Sequence, residues 1–270
     1  MNRGDTARTL RAIPTLLRVG VAETVAYRGE FLVWILTTTL PLVMLALWKS
    51  VAEEAPFRGY DDANFVAYYL AVLIVRNLTG SWVAWQISEE IRLGSMSMRL
   101  LRPIHPFIAF AASHVAAVPF RSLVVLPFAA GLLLSSGASA LTRDPVQLAL
   151  ILPSLALAWL ITFSVLFALG ALGFLFTKTM ALLGIYFAAY SLLSGYLLPM
   201  PLLPSWIGRI AEVTPFRGML SVPVELMTRS IASRELAIMM LTQLGWAVAC
   251  LGAALWVWRR GLRRYEAVGN

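Results

Sequence analysis

Polar positions in this chain gather in short clusters between long apolar runs, and that alternation predicts its elements. Phe31–Trp48, Leu123–Ala140, Val146–Thr177 and Met180–Leu203 contain no charged residue. A helix needs about 20 apolar residues to cross the hydrocarbon core of a bilayer. Read by this rule, the pattern predicts spans over about Glu30–Trp48, Asn64–Trp85, Ala116–Leu134, Gln147–Phe174, Met180–Leu198 and Leu236–Trp258. The expected fold class is all-α: a polytopic membrane protein of six transmembrane helices, forming a single domain over residues 1–270.

The segments between the spans add detail. In residues 1–29, Leu10, Ile13, Leu16, Leu17, Val21 and Val25 recur near helical spacing with arginines on the flanks. This predicts an amphipathic helix lying on the cytoplasmic membrane surface, the alternative being a solvated basic arm. A surface helix is expected after Pro106, ahead of the third span. Residues 199–235 are rich in proline, too polar to span and too apolar for a free loop. They predict an outer re-entrant hairpin of two short helices.

Composition agrees: of the 270 residues, 59% are hydrophobic and only 13% charged, with mean hydropathy +0.76. Soluble domains carry roughly 25% charged residues. The net charge of +8 does not point to nucleic acid, because the basic residues cluster at span ends. Five arginines before residue 29, then Arg92, Arg99, Arg102 and Lys178, then Arg259, Arg260, Arg263 and Arg264 all fall on one side. The loop Lys49–Ala63, holding Glu53, Glu54, Asp61 and Asp62, falls on the other. The positive-inside rule then places both termini in the cytoplasm. Pro14, Arg18 and Glu23 interrupt any early apolar core, so no cleavable signal peptide is expected. The lone Cys250 excludes a disulfide framework. His105 and His114 stand without HExxH or CxxC companions, so no metal site is expected. No GxxxxGK[ST] loop or G-x-S-x-G elbow occurs.

The segment 86–106 carries the densest polar chemistry. Ile87 and Ile91 share one helical face, while Ser88, Glu89, Glu90 and Arg92 project elsewhere. Gly94 suits the left-handed position that ends a helix, Ser95 suits an N-cap, and Pro103 and Pro106 stop the helix from running straight on. Such an element either docks in the cleft of a soluble partner or is a solvated loop anchored by snorkelling arginines. Arg76 and Asn77 lie near the middle of the second span. An arginine at the bilayer centre costs about 2.5–3.5 kcal/mol on insertion scales, so it must face protein or a watery cavity. The pair therefore either lines a substrate path or anchors the helix to neighbouring backbone and hydroxyls. His114 and Arg121 are read as interfacial. Gly245, Ala249 and Ala253, four apart, permit close helix approach in the last span.

On these residues alone a membrane-embedded lipid-modifying enzyme and a non-energised scaffold or channel stay open beside a transporter. The enzyme would need acids or histidines converging at one face, whereas the acids here are spread over both sides.

The spacing Glu90…Gly94-Ser95…Leu100-Leu101…Pro103 resembles the first cytoplasmic loop of type-2 ATP-binding-cassette (ABC) exporter permeases. Ser194–Trp206 resembles that family's outer re-entrant hairpin, and Gly261–Gly269 the C-terminal tail of one bacterial branch. Many relatives carry an acidic residue three positions after the glycine, where this chain has Ser97. The resemblance implies a permease subunit that moves an amphiphile outward: a lipid, glycolipid, peptide or drug. It implies a separate nucleotide-binding ATPase subunit that holds ATP and Mg, a second permease subunit, and surrounding membrane lipids. This chain would bind no cofactor, have no ATPase site of its own, and reside in the bacterial plasma membrane. Ile87, Glu89, Glu90, Ile91, Arg92 and Gly94 would form the ATPase-docking helix.

Overall fold

A computed structural model describes residues 12–22, 39–54, 57–176 and 179–265. The outer parts of the expected N-terminal helix, the first half of the first expected span, the Lys178 turn and the tail beyond Tyr265 lie outside the described residues. The protein is all-helical and polytopic. Its helices are α1 (Ala12–Ala22), α2 (Leu40–Glu54), α3 (Asp62–Thr79), α4 (Val83–Arg92), α5 (Met96–Leu100) and α6 (Pro106–Ser136). They continue as α7 (Pro145–Ala171), α8 (Thr179–Leu193), α9 (Ser205–Glu212), α10 (Pro215–Met219), α11 (Ser221–Thr228) and α12 (Ser233–Leu262). Among the described residues, four helical stretches are long and apolar enough to cross a membrane: Asp62–Arg92, Pro106–Leu123, Pro145–Phe174 and Ser233–Leu262. The apolar helices α2 and α8 are shorter, at 15 residues each.

At the centre stands α7, which packs most extensively on α12 and also meets α3, α4 and α11. Its buried face carries Ala158, Ile161, Phe163, Phe167 and Ala171. Aromatic rings from several helices converge there: Phe107 meets Phe163 and Phe167 at 5.1 and 5.0 Å, and Trp258 meets Phe167 at 4.9 Å. Between helices in a bilayer, packing and hydrogen bonds replace the hydrophobic drive that operates in water, so this interlock is what holds the bundle. Helix α1 rests on α6, where a Cβ at Gly20 would lie 2.9 Å from Ala116 Cβ.

Several boundaries differ from the apolar pattern. The second span is not one helix: α3 stops at Thr79, and Gly80 takes extended backbone (φ −61°, ψ 142°) before α4 begins at Val83. Helix α6 is continuous, where a surface helix followed by a separate span was expected. Pro119 and Pro127 lie inside it. In apolar surroundings backbone groups have no water to turn to, so a helix persists through prolines that would end it in a soluble loop. The fifth span ends early, at Leu193, because Gly195 turns into the left-handed region (φ 84°). The unwound carbonyls are then satisfied by side chains. Tyr68 donates to Gly195 (2.7 Å), Ser221 to Ser194 (2.6 Å), and both Tyr69 and Trp48 to Leu197 (2.8 and 3.3 Å). Residues 199–235 form three short α-helices, not two, because Pro215 opens a helix and Leu220 (φ −139°, ψ −57°) interrupts it.

Candidate functional site

Helix α4 is held against the bundle through glycines. A Cβ at Gly170 would lie 2.9 Å from Ile87 Cβ and 3.0 Å from the Ala84 backbone, so the two helices meet almost backbone to backbone. One turn on, Gly173 receives the end of Ile91, whose Cδ1 lies 3.2 Å from where its Cβ would be. Ser88 and Thr179 share a hydrogen bond of 3.3 Å. Ile87 is wholly buried and Ile91 partly, so both anchor the element to the bundle, leaving the opposite face open.

Gly94 closes α4 at φ 73°, and nothing lies within 4 Å of where its Cβ would be. The glycine is there for backbone conformation, since an L side chain in this region costs about 1–2 kcal/mol. Ser95 does not act as the expected N-cap. Its own backbone is already helical (φ −68°, ψ −14°), and its hydroxyl turns back to the Glu90 carbonyl at 3.4 Å. Ser97 instead donates to the Gly94 carbonyl at 2.7 Å, bracing the elbow.

The two carboxylates are used differently. Glu89 is exposed and pairs with Arg92 one turn ahead, at 2.6 and 3.2 Å. Glu90 is about one-fifth exposed and grips Arg99 of α5 with two hydrogen bonds, Nε to Oε2 at 2.7 Å and Nη2 to Oε1. The Arg99 guanidinium in turn lies 4.0 Å above the Phe110 ring of α6. One ion pair thus ties three elements together. Neither Arg99 nor Phe110 stands out in the sequence, since nothing local announces a bond across nine residues. Beside this clamp Leu93, Met98 and Leu101 are 67%, 67% and 79% exposed, an apolar edge on an otherwise charged element.

Arg76 and Asn77 part company, because neighbours on a helix point about 100° apart. Arg76 faces Tyr190 and Tyr196, its guanidinium 5.3 and 4.9 Å from their ring centres, and its buried Nε has no hydrogen-bond partner. Asn77 turns to α6, where Ser122 donates to its Oδ1 at 3.2 Å. The same side holds Arg121 and His114, expected at the interface but enclosed in protein at 2% and 0% exposure. Arg121 donates to the carbonyls of Gly80 (2.9 Å) and His114 (3.0 Å), with its guanidinium over Trp82 at 4.8 Å. It supplies the hydrogen bond that the break between α3 and α4 leaves open.

Among the described residues no group of three or more His, Cys, Asp or Glu is placed to hold a metal ion. A model of the family described as ABC-2 family transporter protein matches residues 31–269. The chain belongs to the ABC-2 transporter family. No curated protein matches it. As an ABC-2 protein it is the multi-pass permease subunit of an ABC transporter, not the ATPase, and membership implies partnership with an ABC ATPase subunit. In the ABC-2 chain α4, which carries Glu89, Glu90 and Arg92, is fixed to the central helix at Gly170.

Proposed function

We propose that the chain is the permease half of an exporter that moves an amphiphile outward across a bacterial plasma membrane. Six spans, both termini in the cytoplasm and a second permease subunit complete this reading. The elbow formed by α4 and α5 receives the ATPase, and the observation carrying the reading is its two-sided construction. One side is locked to α7 through Gly170 and to the turn that follows it through Gly173. The other offers Glu89, Arg92 and the exposed Leu93, Met98 and Leu101. Motion delivered to such an element cannot be absorbed locally, because backbone-close contacts transmit displacement to the helix behind. It passes to α7 and, across the Gly80 break, to α3 with Arg76. A polar path for the amphiphile fits Arg76 and its tyrosines, while Asn77 serves the α3–α6 contact.

The test is assembly. Leu93→Asp and Leu101→Asp alter side chains with little intrachain contact to lose. Both are expected to abolish co-purification of the ATPase and ATP-driven amphiphile movement in proteoliposomes. Retention of complex and transport in both variants refutes the docking assignment.

A further inference from the structure

A second built feature lies at the opposite end of α12 from its arginine cluster. Helices α10 and α11 pack on the first half of α12, and with Glu212 at the end of α9 they leave a groove of about 460 Å³, within the size range of small-molecule sites. Arg234 and Trp246 bound it along α12, twelve residues or about 18 Å apart. Along α12 the lining runs from charged Arg234 and Glu235 through Ile238 and Met239 to the polar Thr242 and Gln243 beside Trp246, while α9 and α10 supply Glu212 and Arg217.

The charged end is organised around Glu225, whose side chain is 2% exposed and binds Arg217 at 3.3 Å and Arg229 at 2.7 Å. Arg217 also reaches Glu212 at 3.9 Å, and Arg229 reaches Glu235 at 3.5 Å. Two groups keep unused capacity. The Arg217 Nε is buried without a hydrogen-bond partner, and Arg234 makes no ion pair among the described residues. With Arg217 and Arg234 set against Glu212 and Glu235, the lining is neutral overall and presents both signs.

We infer that this groove binds the head group of a zwitterionic phospholipid from the adjacent leaflet. Arg234 and Arg217 take the phosphate through charge-assisted hydrogen bonds. Glu235 and Glu212 take the ammonium, and the first acyl segment runs over Ile238 and Met239 toward Trp246. Neutrality is what selects the ligand class: an anionic lipid would leave the glutamates facing its charge unmatched. The groove is too small for a whole lipid, so the rest of the chains lie outside it. There the α12 face continues through Gly245 and Ala249, both exposed, and nothing lies within 4 Å of where a Cβ at Gly245 would stand.

Native mass spectrometry of the full chain with its ATPase, titrated with dioleoyl phosphatidylethanolamine or dioleoyl phosphatidylglycerol, tests this. The wild type is expected to retain one phosphatidylethanolamine per chain and to prefer it to phosphatidylglycerol. Arg234→Ala should weaken retention roughly tenfold. Thr242→Trp, at an exposed position lining the groove, should abolish it, and Glu235→Gln should erase the preference. Quenching by a dibrominated-acyl phosphatidylethanolamine, taken as the difference between wild type and Trp246→Phe, reads the same site without touching its charges. Unchanged retention in both Arg234→Ala and Thr242→Trp overturns the inference, as does equal retention of the two lipids or no quenching difference. Loss of a protein subunit in Thr242→Trp would also overturn it, by making the groove a helix interface. Because the site needs only a bilayer at this end of α12, its failure with transport intact leaves the exporter reading standing.

Discussion

The Glu90–Arg99 clamp makes a prediction that separates an internal role for Glu90 from a docking role. Both side chains are about one-fifth exposed, so solvent screens their pairing only in part. Two charge-assisted hydrogen bonds at such a site are worth about 1–3 kcal/mol together. The stacking of Arg99 on Phe110, at 4.0 Å, adds about 0.5–2 kcal/mol. Removing Arg99 therefore loosens α5 from α4 and α6 by about 2–4 kcal/mol, and Glu90→Arg sets two guanidinium groups against each other for a comparable loss. Both single variants are expected to reduce ATPase association and coupled transport. The exchange Glu90→Arg with Arg99→Glu restores the ion pair but puts a carboxylate over the Phe110 ring, whose negative face repels it. Rescue should be partial, recovering about 1–2 kcal/mol of pairwise coupling in a double-mutant cycle. The assay is ATPase co-purification together with thermal unfolding of the detergent-solubilised complex. A double variant as inactive as Glu90→Arg alone would mean that Glu90 contacts the partner directly, and the clamp argument would fail.

Three further outcomes follow from the geometry. Gly170→Leu drives a side chain into Ile87 and the Ala84 backbone. It should lower stability by about 1–3 kcal/mol and weaken ATPase association; an unchanged melting temperature would refute the close packing of α4 on α7. Arg121→Met leaves the Gly80 carbonyl without its donor, at about 1–3 kcal/mol for the unsatisfied group, and thermal unfolding should register most of it. His105, in the loop ahead of α6, accepts a hydrogen bond from the Phe107 N–H at 3.2 Å, and its pKa is lowered by burial and then by Arg259. A lowered folded value means that the unfolded chain takes up the proton first. Stability is accordingly complete above the ordinary histidine pKa of about 6.5 and declines as pH falls below it. His105→Gln should lessen that decline in melting temperature between about pH 7 and pH 5 without abolishing it, because the buried His114 remains.

What the chain states locally was legible without a structure. Charge-free runs announce membrane helices because a bilayer penalises every polar group placed in it, and the penalty depends on composition alone. Gly94 announced the end of α4 because only backbone freedom is needed there, and Ile87 and Ile91 announced a shared face because helical period fixes it. Other features depended on residues far apart in sequence. The unwinding after Leu193 exists because Tyr68, Tyr69, Trp48 and Ser221 reach across the bundle to satisfy its carbonyls. The break at Gly80 stands because Arg121, 41 residues later, completes its hydrogen bonding. Glu90 and Glu89 are neighbours of the same type, yet only packing decided that one clamps α5 while the other stays in solvent. Likewise, Arg76 and Asn77 face different helices because α6 and α8 lie on different sides of α3. Periodicity and composition are properties of a segment, and they survive in isolation. The partner of a buried polar group is a property of the assembled bundle, because it is chosen by whichever distant element can meet its hydrogen bonds where water is absent.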